Sequence, residues 1–109
     1  MIKYKSLKTI SMGQYHDIKG KVTAKLINKD GIITMVVTMA KGSEIMPHKH
    51  AKNESVVYVL KGKLQVSLDN KKKEIVNAGE TTICLNKHTH GIKNIGNTNA
   101  VFFGVVYGK

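Results

Sequence analysis

The chain has 109 residues and one cysteine, Cys84, so it has the length of one domain and cannot close an intrachain disulfide. Its formal charge of +11 comes from lysine alone; arginine, whose planar fork serves base and phosphate readers, is missing, so specific nucleic-acid recognition is not expected. No apolar run approaches the ~20 residues of a membrane span, and the N-terminal MIKYKSLKTISMGQ spreads lysines where a secretory signal would carry an apolar stretch, so a cytoplasmic protein is expected.

In chain order, residues 1–20 hold Ile2, Tyr4 and Leu7, which suit an edge strand or a segment pairing across a subunit boundary. Lys21–Ile27 alternates as a strand does, and Asn28-Lys29-Asp30-Gly31 reads as a turn. Ile32–Met39 is β-branched, with Ile33, Met35, Val37 and Met39 on one face and Thr34 and Thr38 on the other. Gly42 ends that strand. His48 and His50 follow, one residue apart, just after Pro47. Proline lacks an N–H and restricts Met46 to extended geometry, so strand or loop is expected there rather than helix. Side chains at i and i+2 of an extended segment point the same way, and two imidazoles so placed can converge on one ion.

Val56–Leu60 is continuously apolar and predicts a central strand. Leu64, Val66 and Leu68 alternate with Gln65 and Ser67, Asp69-Asn70 turns the chain, and Lys73–Val76 pairs back. The triplet Lys71-Lys72-Lys73 then sits at a solvated tip. Thr81–Leu85 and Gly91–Ile95 are further strands; Gly96–Asn99 turns, and Ala100–Tyr107 is the last strand. No segment holds a helical period over three turns. Short strands with turns between them predict an all-β sandwich or barrel.

A second histidine pair, His88 and His90, lies about forty residues after the first, so four of the five histidines fall in two H-x-H pairs. Here the chain resembles the cupin family. Gly42, His48, His50, Glu54 and Gly62 follow the pattern G-x5-H-x-H-x3,4-E-x6-G with one slip. Gly79, His90 and Asn94 fall on the spacing of G-x5-P-x-G-x2-H-x3-N, although Leu85 stands where proline is usual and Lys87 where glycine is usual. The resemblance implies one cupin domain over residues 1–109, an antiparallel double-stranded β-helix or jelly-roll barrel, with motif one at 42–62 and motif two at 79–94. It implies one divalent transition-metal ion (Fe, Mn, Ni, Co, Cu or Zn) held by His48, His50, Glu54 and His90, donors that suit such ions. It also implies a small organic substrate or ligand in the barrel, a homodimer, and either a dioxygenase-type oxidoreductase or a non-catalytic binding or sensing module.

The slip in motif one leaves two registers open. Counted forward from His50, the carboxylate position is Glu54; counted back from Gly62, it is Ser55. Glu54 reaches a metal if an irregularity at Asn53–Ser55 turns it inward; otherwise Ser55 faces the histidines. His88 reads as a loop residue or a fourth imidazole, and His16, alone in a polar segment, as a surface residue. Cys84 reads as a small buried apolar residue. Met35, Met39 and Met46 either line a pocket or fill core gaps, Asn94 suits backbone hydrogen bonding at a turn, and Tyr58 and Tyr107 fit core, interface or pocket.

Overall fold

The period-two patterning resolves into strands throughout the computed structural model, which describes residues 9–14, 16–49, 53–85 and 87–108. The expected edge strand at Ile2–Leu7 and the imidazole of His50 lie outside these residues. The strands are β1 (Ile10–Ser11), β2 (Ile18–Lys19), β3 (Val22–Lys29), β4 (Ile32–Met39), β5 (Glu44–Lys49), β6 (Asn53–Lys61), β7 (Lys63–Leu68), β8 (Lys72–Asn77), β9 (Thr81–Cys84), β10 (Thr89–Asn94) and β11 (Ala100–Gly108). Among the described residues the helical structure is one 3-10 turn, Met12–Gln14, and no helix is long and apolar enough to cross a membrane.

Two antiparallel sheets face each other in jelly-roll fashion. One has the order β1-β3-β4-β11-β6-β9 and the other β2-β5-β10-β7-β8. The alternation expected of Ile32–Met39 is met: Val37 and Met39 are buried, and β3 answers with Val22 and Ala24. Val57, Val59, Ala100 and Phe102 complete the inner wall of that sheet; Ile45, Leu64, Val76 and Ile92 come from the other. Burial of such side chains is the main driving term for the fold, about 1.5–3 kcal/mol for each large one.

Turn chemistry fixes the hairpin registers. Asp30 and Gly31 join β3 to β4, and Asp69, Asn70 and Lys71 join β7 to β8; Asp30, Gly31, Asp69 and Asn70 have positive φ, as the central pair of a tight hairpin turn requires. Gly62, the last residue of motif one, has φ +90°, and a methyl on it would sit 2.9 Å from the Cβ of Ala100. Buried Asn94 ties the two sheets together at one end. Its Nδ2 lies 3.1 Å from the carbonyl of Met39, 3.2 Å from that of Ala40 and 2.9 Å from that of Thr98, while its Oδ1 accepts the Gly96 N–H. Asn94 thus has the backbone-bonding role its position suggested.

The outer face of the six-stranded sheet is unusually apolar. Val36, Phe103 and Tyr58 pair directly across β4, β11 and β6, and all three are exposed.

Candidate metal centre

The direction of His48 is set by an irregularity in β5. Strands β5 and β10 pair Thr89 with Lys49 and His90 with His48, then shift to pair Ile92 with Ile45 and Lys93 with Glu44. Met46 and Pro47 together therefore stand opposite Gly91. This is a β-bulge, and a proline that cannot donate to the ladder fits there. In a regular strand, residues three apart point to opposite faces. The extra residue restores the phase, so Ile45 and His48 line the same interior cavity. Gly91 is what lets the chains close here. A methyl on it would lie 3.1 Å from Ser67 Oγ, 3.2 Å from the Ile45 carbonyl oxygen and 3.2 Å from Pro47 Cγ.

The bulge also orients the ring. His48 Nδ1 lies 3.0 Å from the Met46 carbonyl oxygen. A carbonyl can only accept, so the neutral ring carries its proton on Nδ1 and its lone pair on Nε2. Metal-ligating histidines commonly bind a backbone carbonyl in this way through their other nitrogen. His90, 6% exposed, meets His48 edge to face, with ring centroids 4.3 Å apart and planes at 72°. Strand β10 begins at Thr89, two residues before the expected Gly91, so His90 is held inside the sheet by both β5 and β7.

A third imidazole stands beside them. His16 lies 4.3 Å from the ring of His48, tilted by 35°, and is half-buried. The reading of His16 as a surface residue is therefore corrected. The 3-10 turn Met12–Gln14 folds this segment over the barrel, and the His16 N–H donates to the Met12 carbonyl at 3.1 Å. A lone histidine in a polar stretch carries no periodic signal, so sequence spacing could not have placed it.

The cavity between the imidazoles is small, about 50 Å³. Ser55 is on its wall, with apolar Ile45, Val57 and Phe102 around it. Strand β6 pairs with β11 without a shift from Asn53 opposite Gly108 to Val59 opposite Phe102; the irregularity in this pair lies beyond, between Val101 and Phe102. Unbroken register keeps Ser55, Val57 and Val59 on one face. Ser55 is 7% exposed and lines the cavity; Glu54 is 5% exposed and is not among the described residues that line it. Among the described residues no three His, Cys, Asp or Glu side chains are grouped so as to hold a metal ion. His48 and His90 are brought together; their sequence partner His50 lies outside the described residues. Two imidazoles packed against each other across adjacent strands, one with its tautomer fixed, are donors of the kind a divalent transition metal takes.

His88 takes part in a surface clasp. Its Nδ1 lies 2.8 Å from Asp69 Oδ2, the Thr89 N–H donates to Asp69 Oδ1 at 3.0 Å, and the Asp69 N–H donates to the Thr89 carbonyl at 2.7 Å. The hydrogen bond from His88, and then that from Thr89, hold the Asp69 carboxyl below the usual carboxylate range. The clasp joins the β7–β8 turn to the start of β10, one residue before His90. Cys84 is buried as expected, opposite Ser55 on β9, and burial pushes its thiol up to about 11.

The description "Cupin domain" belongs to a family model that matches residues 35–106, a span that takes in β5, β6 and β10. The chain is a cupin. Cupins often bind a metal ion, and the fold commonly takes small-molecule ligands. This cupin superposes on the crystal structure of a predicted oxalate decarboxylase from Thermotoga maritima with a TM-score of 0.82, at 22% identity, over 95% of this chain and 93% of that one. It resembles the cupin domain of Schizosaccharomyces pombe Cnp3 with a TM-score of 0.77, at 17% identity, over 88% and 71% of the two chains. An oxalate oxidase structure aligns with a TM-score of 0.71, at 24% identity, over 80% of this cupin and 51% of that chain. An uncharacterized protein of Methanocaldococcus jannaschii is 43% identical over 56 residues, which are 51% of this chain and 44% of that protein. The chain thus spans less than half the length of this curated relative.

Proposed function

We propose that this cupin binds one divalent transition-metal ion through His48, His50 and His90 and acts on a small organic molecule as a dioxygenase-type oxidoreductase. The observation that carries the reading is the His48–His90 pair, edge to face across β5 and β10, with His48 Nδ1 turned away to the Met46 carbonyl. The unbroken β6 register supports Ser55, in preference to Glu54, at the place where a carboxylate ligand was expected. When bound, the ion would supply Lewis acidity and open positions for dioxygen or a chelating substrate. The chain's own part is to hold the imidazoles in one tautomer, exclude water with Ile45, Val57 and Phe102, and present Ser55 as a hydrogen-bonding hydroxyl. Elemental analysis of protein purified without added metal or chelator, then titration of the stripped protein, tests this. One equivalent of Mn, Fe, Co, Ni, Cu or Zn per chain is expected, and the absence of stoichiometric uptake refutes it.

A homodimer through the Val36–Phe103–Tyr58 face and a cytoplasmic location belong to the same proposal. An exposed apolar sheet face of this kind favours a covering partner, and a lone buried thiol suits a reducing compartment.

A further inference from the structure

The histidine cavity is the narrow end of a longer hollow. A second cavity of about 260 Å³ lies beside it, walled by Leu26, Ile33, Met35 and Val106, with Asn28 and Asn53 as its carboxamides. Met12, His16, Met35 and Val106 line both cavities. The strands explain the shape. Leu26 pairs with Met35 across β3 and β4, and Ile33 pairs with Val106 across β4 and β11, so these side chains share the inner face. Gly104, opposite Met35 on β11, lines the histidine cavity; a methyl there would come within 3.2 Å of Met35 Cγ. Met35 therefore lies across the junction, and its thioether is flexible enough to move aside.

We infer that the ligand of this cupin is a small amphipathic molecule, with one oxygen-donor head beside the imidazoles and an apolar body in the larger cavity. The head rests on the metal reading above; the body rests on the cavity alone. No lysine is among the described residues lining either cavity, and every described lysine is exposed. A second ionised group placed against Leu26, Ile33 and Val106 would lose its hydration with no counter-charge among the described residues of the wall to replace it. A small dianion such as oxalate would leave those walls uncovered. An engineered apolar cavity of about 150 Å³ takes benzene, so one of this size takes a body of roughly ten non-hydrogen atoms. His16 stands where head meets body, and Asn28 and Asn53 can take a single further polar group.

The probes are hexan-1-ol, the straight-chain alkanoates from acetate to octanoate, and oxalate. In metal-free protein, hexan-1-ol should saturably shift the methyl resonances of Leu26, Ile33, Met35 and Val106 in NMR spectra. In metal-loaded protein, alkanoate affinity by calorimetry should rise about fourfold per methylene, the factor expected for burying a CH₂, and level off once the cavity is full; oxalate should leave those methyls unmoved. Ile33→Phe fills the larger cavity only. It should flatten the chain-length series and remove the hexan-1-ol shifts while metal titration stays unchanged. Leu26→Phe, on the neighbouring strand, gives the same reading if Ile33→Phe does not fold. A flat series in the unmodified protein, or an unaltered series in both filled variants, overturns the inference. Hexan-1-ol binding without metal uptake sustains the apolar body and refutes the metal; metal uptake without any methyl shift does the reverse.

Discussion

Positions 54 and 55 provide the sharpest test of the site. Because β6 pairs with β11 in unbroken register from Asn53 to Val59, neighbouring side chains there lie on opposite faces of the sheet. Ser55→Glu would put a carboxylate on the wall shared with His48 and His90. At about 4 Å and an effective dielectric constant of about 20, one pair of unit charges gains roughly 4 kcal/mol. Crowding a cavity of about 50 Å³ takes back about 1–3 kcal/mol. A net gain of about 1–3 kcal/mol remains, which is about fivefold or more in metal affinity. Glu54→Gln, on the opposite face, should change metal affinity by less than about twofold. Competition titration of the stripped variants against a chromophoric chelator measures both. If Glu54→Gln weakens binding tenfold or more while Ser55→Glu is neutral, the carboxylate at 54 contacts the ion and the β6 register does not set the ligands.

Gly91→Ala should cost about 1–3 kcal/mol by forcing β5 and β7 away from β10, a fall of about 4–8 °C in Tm per kcal/mol for a chain of this size, read by a thermal melt. Asp69→Asn tests the clasp. A depressed carboxyl stabilises the fold above its unfolded range, and that contribution is lost as pH falls through the depressed value. Denaturant midpoints of Asp69→Asn should therefore lie below those of the unmodified protein at neutral pH and converge with them in acid, below the usual Asp value of about 3.9. Phe103→Glu, in the middle of the exposed apolar row, should shift sedimentation at micromolar concentration from dimer to monomer; a monomer in both would remove that interface.

Most of the strand plan was readable because period-two alternation and turn residues are local signals. Ile32–Met39 came out with the expected bounds, and Asp69-Asn70 formed the expected hairpin turn. Short β1 and β2 were not readable, since two residues cannot show a period. The choice between Glu54 and Ser55 was open because counting from His50 and counting from Gly62 disagree by one residue, and only the pairing with β11 says which face each side chain takes. His16 was missed for a different reason. Its contact with His48 spans more than thirty residues and depends on a 3-10 turn folding back over the barrel, which no spacing rule encodes.

The bulge at Met46–Pro47 ties the hold on an imidazole to chain length. Were β5 flattened at unchanged length, Pro47 would stand opposite His90 and His48 opposite Thr89, on the outer face. A proline has no N–H to give to the ladder, which disfavours that slip. Losing one residue between Ile45 and His48 would instead remove the bulge and leave both side chains facing inward, two residues apart as in a regular strand. What such a deletion would take away is the bulged geometry in which the Met46 carbonyl meets His48 Nδ1. The bulge therefore does not decide whether His48 reaches His90; it decides how firmly the ring is held once there.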